Sequence, residues 1–125
     1  MACRNTHAAE TLKSEWLKKL PKLNLVVKEL ELSSFRSVKN FVDEIKATET
    51  QINYLINNAA TWSQMRTIKM LTDDNIESHF QINFLSHFLI TLLLLPRMIE
   101  SAKKCGFPSR ILFVVIFKKD IFSKC

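Results

Sequence analysis

Ile52-Asn53-Tyr54-Leu55-Ile56-Asn57-Asn58-Ala59-Ala60 is the stretch on which the architecture turns. Ile52–Ile56 reads as a β-strand, and Asn57-Asn58 closes it, because asparagine accepts turn and strained backbone conformations. Working towards the N-terminus, Ser33 or Ser34 caps a helix whose apolar face is Phe35, Val38, Phe41, Val42 and Ile45. Before it, Leu25–Leu30 reads as a short buried strand. Residues 5–20 place Leu12, Trp16 and Leu20 four apart, an amphipathic helix that ends before Pro21.

Working towards the C-terminus, residues 61–71 read as a loop. Thr72, followed by Asp73, Asp74 and Glu77, reads as a capped helix start, with carboxylates at the positive end of the helix dipole. That helix is expected to run over residues 73–101, with Phe80, Phe84, His87, Phe88, Leu92 and Leu95 along a wide apolar face. Ile111–Phe117 is continuously apolar, as expected of a strand covered on both faces. Alternating helices and strands predict an α/β fold, a three-layer parallel sheet with crossover helices on both faces. Three strands make a thin sheet with open edges.

Composition narrows the function. The chain has 125 residues, 47% apolar and 24% charged, which is ordinary globular usage for one domain. It contains one glycine, Gly106. That excludes a complete phosphate-cradling loop of the G-x-G-x-x-G or G-x-x-x-x-G-K type within this sequence. The net charge is +6, with the basic excess at the two ends and an acidic middle. A solvated lysine face (Lys13, Lys18, Lys19, Lys22) and a lysine-rich tail account for it. No arginine-rich run or aromatic-basic interleaving points to nucleic acid. Cys3, Cys105 and Cys125 are odd in number and widely spaced, which suits reduced thiols better than a secreted disulfide framework. His79 and His87 lie eight apart without a third ligand, so they read as core or boundary residues and no metal site is expected. No signal peptide or membrane span is expected: the longest apolar run, Phe88–Leu95, falls short of the roughly 20 residues a span needs. The expected localisation is cytoplasmic or peripheral to an intracellular membrane.

Four strings then occur in order: Met1-Ala2-Cys3-Arg4-Asn5, Leu30-Glu31-Leu32-Ser33-Ser34, Leu55-Ile56-Asn57-Asn58-Ala59-Ala60, and Asn83-Phe84-Leu85-Ser86-His87-Phe88-Leu89. With Leu92–Pro96 they resemble the short-chain dehydrogenase/reductases, in particular the retinol dehydrogenase-like group, from Met1 to about Val114. The resemblance implies a Rossmann-type dinucleotide-binding domain over residues 1–117, incomplete, followed by a divergent basic tail over 118–125. It implies NADP(H) as cofactor, with Arg4 at the end of a strand holding the 2′-phosphate through its planar, permanently charged fork. Glu31 stands where the family has an Asp beside the adenine ring, with the Leu32 amide next to it. Asn58, Ala59 and Ala60 correspond to the turn beneath the adenosine ribose, where the family has glycine in place of Ala60. If that site needed positive φ or close approach of the cofactor, Ala60 would cost on the order of 1 kcal/mol or more. Asn75 and Ser86 also stand where relatives commonly have glycine. Asn83 corresponds to the family's active-site Asn.

The rest of the family's machinery has no counterpart in this sequence. Its first strand and glycine-rich turn, which seat the diphosphate on a helix N-terminus, are missing, and that strand is a central one in the sheet. Val115 and Ile116 stand at the Ser-Ser positions, and the Tyr-x-x-x-Lys pair is absent: Tyr54 is followed four residues on by Asn58. The resemblance therefore implies an oxidoreductase acting on retinoid- or steroid-like alcohols and carbonyls. The chain itself is expected to be a truncated, inactive form of marginal stability. The alternative expectation is a non-catalytic protein that docks on a full-length relative, or on a second copy, through the 73–101 helix.

Overall fold

The computed structural model describes residues 1–62 and 70–115. In chain order it contains β1 (Ala2–Cys3), α1 (Thr6–Lys19), β2 (Lys28–Glu29), α2 (Phe35–Thr48), β3 (Tyr54–Asn57), α3 (Ser78–Cys105) and β4 (Arg110–Phe113). The α/β alternation is as expected, and the strands pair in parallel, β1 with β2 and β3 with β4. The expected single sheet is a different matter: among the described residues there are two separate two-stranded ribbons.

Short pairing limits the strands. The strand expected over Leu25–Leu30 has ladder pairing only at Lys28–Glu29, because its partner β1 is two residues long. None of its residues is buried. The strand expected over Ile111–Phe117 pairs at Arg110–Phe113, and Leu112, Phe113, Val114 and Val115 are exposed rather than covered on both faces. Ile116, Phe117 and the 118–125 tail lie outside the described residues, as does most of the 61–71 loop.

The core lies between α2 and α3. Leu32, Val38, Val42, Ile90 and Leu94 form it, with Phe41, Ile45, Leu55 and Ile82 packed around them. The α2 face is the one its periodicity predicts, and Ser34 caps it by accepting from the Ser37 N–H at 3.3 Å. Its other end is tied down as well: the Arg97 guanidinium of α3 donates to the Lys46 and Glu49 carbonyls, both at 3.1 Å. A cation on the last carbonyls of a helix meets the negative end of its dipole.

On the other two helices the apolar stripe read from the sequence is not the buried face. On α1, capped by Asn5 at the Ala8 N–H, the residues turned inward are Ala9, Lys13 and Leu17; Leu12, Trp16 and Leu20 are exposed. On α3 the buried residues are Gln81, Ser86, His87, Ile90, Leu94, Met98 and Ser101. Phe80, Phe84, Phe88, Leu92 and Leu95 are exposed, although His87 is buried as expected. Apolar residues surround α3 on nearly every side, so periodicity could not choose its inward face. The buried polar residues choose it, because each needs a partner. Ser86 Oγ donates to the Leu32 carbonyl at 2.5 Å, and Ser101 Oγ accepts from the Ile52 N–H at 2.8 Å. By length and composition alone α3 could cross a membrane; in this fold it is the helix against which the core is built.

The start of α3 also moves. Helix begins at Ser78, not 73, and Glu77 caps it by accepting from the His79 and Phe80 N–H groups at 3.1 and 2.8 Å. The His79 ring and these two amides hold the Glu77 carboxyl below its ordinary pKa. Thr72–Asn75 instead forms a turn in which Asn75 has φ 61°. Asp74, released from capping its own helix, accepts from the Phe35 N–H of α2 (2.7 Å) and from the buried Gln81 Nε2 (2.6 Å). A π-helical turn at Gln81–Leu85 leads into regular helix, which passes through Pro96 to Gly106, a left-handed C-cap.

The packing makes a direct prediction. Leu94 is 2% exposed and Leu92, two residues earlier on the same helix, is 49% exposed. Leu94→Ala is expected to lower stability by about 2–5 kcal/mol through loss of burial and the cavity left behind. Leu92→Ala should cost less than about 1 kcal/mol. Urea unfolding of the two variants beside the parent protein checks both values.

Candidate functional site

The two ribbons leave a cleft between β1 and β3 of about 490 Å³. Its walls are strand edges. The Lys28 and Leu30 N–H groups donate to the Met1 and Cys3 carbonyls at 2.9 and 3.0 Å. In a parallel ladder alternate residues bond to opposite sides, so Ala2 and Arg4 turn their peptide groups away from β2. By the same alternation Asn53 and Asn57 bond to β4, with the Arg110 and Val114 N–H groups donating at 2.8 and 2.9 Å. Ile56 and Asn58 therefore face away from β4. Ala2, Arg4, Ile56 and Asn58 all line the cleft, and Phe41, Ile82 and Ile90 close its base.

Of the residues singled out in the sequence, the six assigned to the cofactor share this cleft: Arg4, Glu31, Leu32, Asn58, Ala59 and Ala60. Arg4 follows β1 with its side chain 83% exposed, and its Nε lies 3.6 Å from Glu31 Oε2. At that exposure the ion pair contributes little stability, and the guanidinium is open to an incoming anion. Glu31 is already engaged. Its Oε1 accepts from the Ser33 N–H (3.0 Å) and hydroxyl (2.8 Å), which folds the carboxylate back over the turn entering α2. Leu32 is buried, and its carbonyl takes the Ser86 proton. Asn58, Ala59 and Ala60 are exposed on the chain leaving β3. Ala60 has negative φ; among the described residues the one non-glycine with positive φ is Asn75. The strain raised for alanine in place of glycine is therefore not present, and asparagine stands where left-handed backbone is needed.

Asn83, exposed in the π-helical turn of α3, bonds to Thr61 through both ends of its amide. Its Oδ1 accepts from the Thr61 N–H at 2.8 Å and its Nδ2 donates to the Thr61 carbonyl at 3.0 Å. Two further contacts, which the sequence reading did not find, continue the pattern. His87 Nε2 lies 2.7 Å from the Ala59 carbonyl, and Thr91 Oγ1 lies 3.1 Å from Asn57 Nδ2. Asn83, His87 and Thr91, four apart on one helix, thus hold Thr61, Ala59 and Asn57, two apart on the facing chain. Four helical residues advance about 6 Å and two extended residues about 6.6 Å, so the two runs stay in register. The signal was present in the sequence as three polar residues four apart in a segment whose other residues, Ser86 excepted, are apolar.

A cleft between parallel strand ends, rimmed by an arginine and an exposed turn, is the arrangement of a Rossmann-type α/β fold. A sequence model of the short chain dehydrogenase family matches residues 1–114. The chain is 40% identical over 111 residues to the chloroplastic short-chain dehydrogenase TIC 32 B of Brassica napus, covering 89% of this chain and 34% of that protein. It is 44% identical over 90 residues to retinol dehydrogenase 14 of Mus musculus, covering 72% and 25%. Among solved structures, the RhlG/NADP active-site complex of Pseudomonas aeruginosa superposes with a TM-score of 0.65 at 21% identity, covering 88% of this chain and 41% of that one. This chain belongs to the short-chain dehydrogenase/reductase family and is retinol dehydrogenase-like. It spans between about a quarter and a third of the length of these curated relatives.

Asn83→Ala removes both bonds to Thr61. Its expected effect is faster exchange of the Thr61 backbone amide, by about tenfold or more given one amide bond lost. Hydrogen exchange followed by NMR measures it; unchanged exchange would show that the amide pair is not what holds Thr61.

Proposed function

We propose that this chain forms the adenosine-facing part of an NADP(H) site in an oxidoreductase that interconverts lipophilic alcohols and carbonyls. The observation that carries this reading is the shared cleft: an exposed arginine on one strand end and the Asn58–Ala60 turn on the other. The residues fit one half of the cofactor. The Arg4 fork suits a 2′-phosphate, and the exposed turn offers backbone to a ribose. For the diphosphate the described residues offer no matching seat, since the single glycine, Gly106, caps the far end of α3. When bound, the cofactor supplies the hydride; the chain's own residues bind and orient its adenosine end. Names such as retinol dehydrogenase 14 among the relatives support a retinoid-like substrate.

On the same reading this 125-residue chain does not turn over. Asn83 offers no titratable group, its amide is committed to Thr61, and the sequence contains no Tyr-x-x-x-Lys. A cytoplasmic or membrane-peripheral location agrees with the free thiols of Cys3 and Cys105. Fluorescence titration with NADPH and NADH, followed by addition of retinal, tests the whole reading. NADPH is expected to bind more tightly than NADH. Arg4→Ala is expected to reduce that preference about tenfold, as loss of a charge-assisted contact implies. No retinal turnover is expected. Equal affinity for the two nucleotides would overturn the role of Arg4, and saturable turnover would overturn the inactivity.

One observation favours a second role, docking on a full-length relative or on another copy. Phe80, Phe84 and Phe88 stack along the exposed side of α3, with ring centroids 5.6 and 6.0 Å apart, and Leu92 and Leu95 continue the stripe. Contiguous exposed aromatics of this kind mark interaction surfaces. Analytical ultracentrifugation of the parent chain should show a dimer that Phe84→Glu dissociates; a monomer at all concentrations, with no co-elution with a full-length relative, would remove this role.

A further inference from the structure

The buried ring of His87 is not used by the cofactor reading, yet it touches the segment on which that reading depends. It is 6% exposed, and both of its nitrogens are engaged. Nε2 lies 2.7 Å from the Ala59 carbonyl, which can only accept, so Nε2 must carry the proton. Nδ1 lies 3.2 Å from the side-chain amide of Asn57, the last residue of β3, itself buried. The other end of that amide meets Thr91 Oγ1 at 3.1 Å.

Two arrangements satisfy every group. With Asn57 Oδ1 towards the ring, both ring nitrogens donate and Asn57 Nδ2 donates to Thr91. With the amide reversed, the Thr91 hydroxyl donates to Asn57 Oδ1, Asn57 Nδ2 donates to Nδ1, and the ring is neutral. In both, the Nε2–H group points at Ala59. The contact that stays constant is therefore the one on the turn, while Asn57 and Thr91 fix the ring from the other side.

We propose that His87 is a positioning residue for nucleotide binding: its Nε2–H group holds the Ala59 carbonyl and so sets the Asn58–Ala60 turn against the adenosine end of the cofactor. The inference rests on the cofactor reading above and assigns that site a residue buried behind it. A ring that merely fills space would be replaceable by an apolar side chain of similar volume. One that positions the turn requires a donor at the Nε2 position.

His87→Leu keeps the bulk without the donor, and His87→Gln places an amide Nε2 donor at similar reach. NADPH affinity, backbone amide exchange over Asn58–Thr61, and the imidazole nitrogen-15 spectrum of the parent protein are measured together. His87→Leu is expected to weaken NADPH binding about tenfold, the scale of one hydrogen bond, and to speed exchange over the turn. His87→Gln is expected to restore both to within about threefold of the parent. The spectrum is expected to show a proton on Nε2. An Nδ1–H tautomer, or a leucine variant with unchanged exchange, would overturn the proposal. If the parent protein fails to bind NADPH, the cofactor reading and the positioning role toward the nucleotide fall together, whereas the grip on Ala59 still stands or falls on exchange and the nitrogen spectrum. If His87→Leu does not fold, the glutamine variant and the parent spectrum decide.

Discussion

Buried polar groups on an apolar helix must find partners, and in this protein that requirement sets the position of the central helix. The α3 segment is rich in leucine and phenylalanine on almost all sides, so hydrophobic burial alone would allow it to rotate about its axis at little cost. The buried Ser86, His87 and Ser101 remove that freedom, and the half-buried Thr91 and the exposed Asn83 add two further ties. Each bonds to one particular backbone or side-chain group on a strand, on the chain leaving a strand, or at a helix entry. An unpartnered buried polar group costs about 1–3 kcal/mol, so even a small rotation that broke several of these bonds would be strongly disfavoured. The stacked phenylalanines face outward as a consequence.

The same bonds organise the cleft. Helix α3 holds Asn57, Ala59 and Thr61 at alternate positions of one chain, which leaves the intervening Asn58 and Ala60 free to meet a ligand. On the opposite wall, Arg4 extends from a two-residue strand paired with β2, and the neighbouring carboxylate of Glu31 is occupied by Ser33. One wall is therefore set by side chains reaching from a helix, the other by a short backbone ladder. Between them the strand edges carry unpaired peptide groups, because the four strands form two ribbons rather than one sheet. The scarcity of glycine fits this arrangement. The turn at Ala60 runs at negative φ, and the left-handed positions fall to Asn75 and Gly106.

Much of the fold was legible in the sequence, and the misses share a cause. The α/β alternation, the α2 face and the gathering of Arg4, Glu31, Leu32 and Asn58–Ala60 follow from local pattern and from motif resemblance. The inward faces of α1 and α3 did not follow. A stripe such as Leu12, Trp16 and Leu20 shows that a face is apolar, but whether it is covered depends on what packs there. The start of α3 was misplaced for a similar reason. Thr72 followed by Asp73 and Asp74 suits a helix start by local rules, yet the Asp74 carboxylate is drawn to the N-terminus of α2 and to Gln81, and Glu77 caps α3. Strand lengths were overestimated because pairing, not propensity, decides where a ladder ends.

By itself the sequence determined the element types and their order, the family, and which residues carry charge or hydrogen-bonding capacity around the cleft. These rest on local backbone preference and on side-chain chemistry, both properties of short segments. Only the tertiary structure decided which side of each helix is buried, that the strands form two ribbons with a cleft between them, and that His87 lies behind Ala59 with its ring nitrogens engaged. Those depend on partners distant in the chain: Leu32 for Ser86, Ile52 for Ser101, Ala59 for His87. Hydrogen-bond satisfaction between remote segments is a property of the packed whole, and no window of sequence contains it.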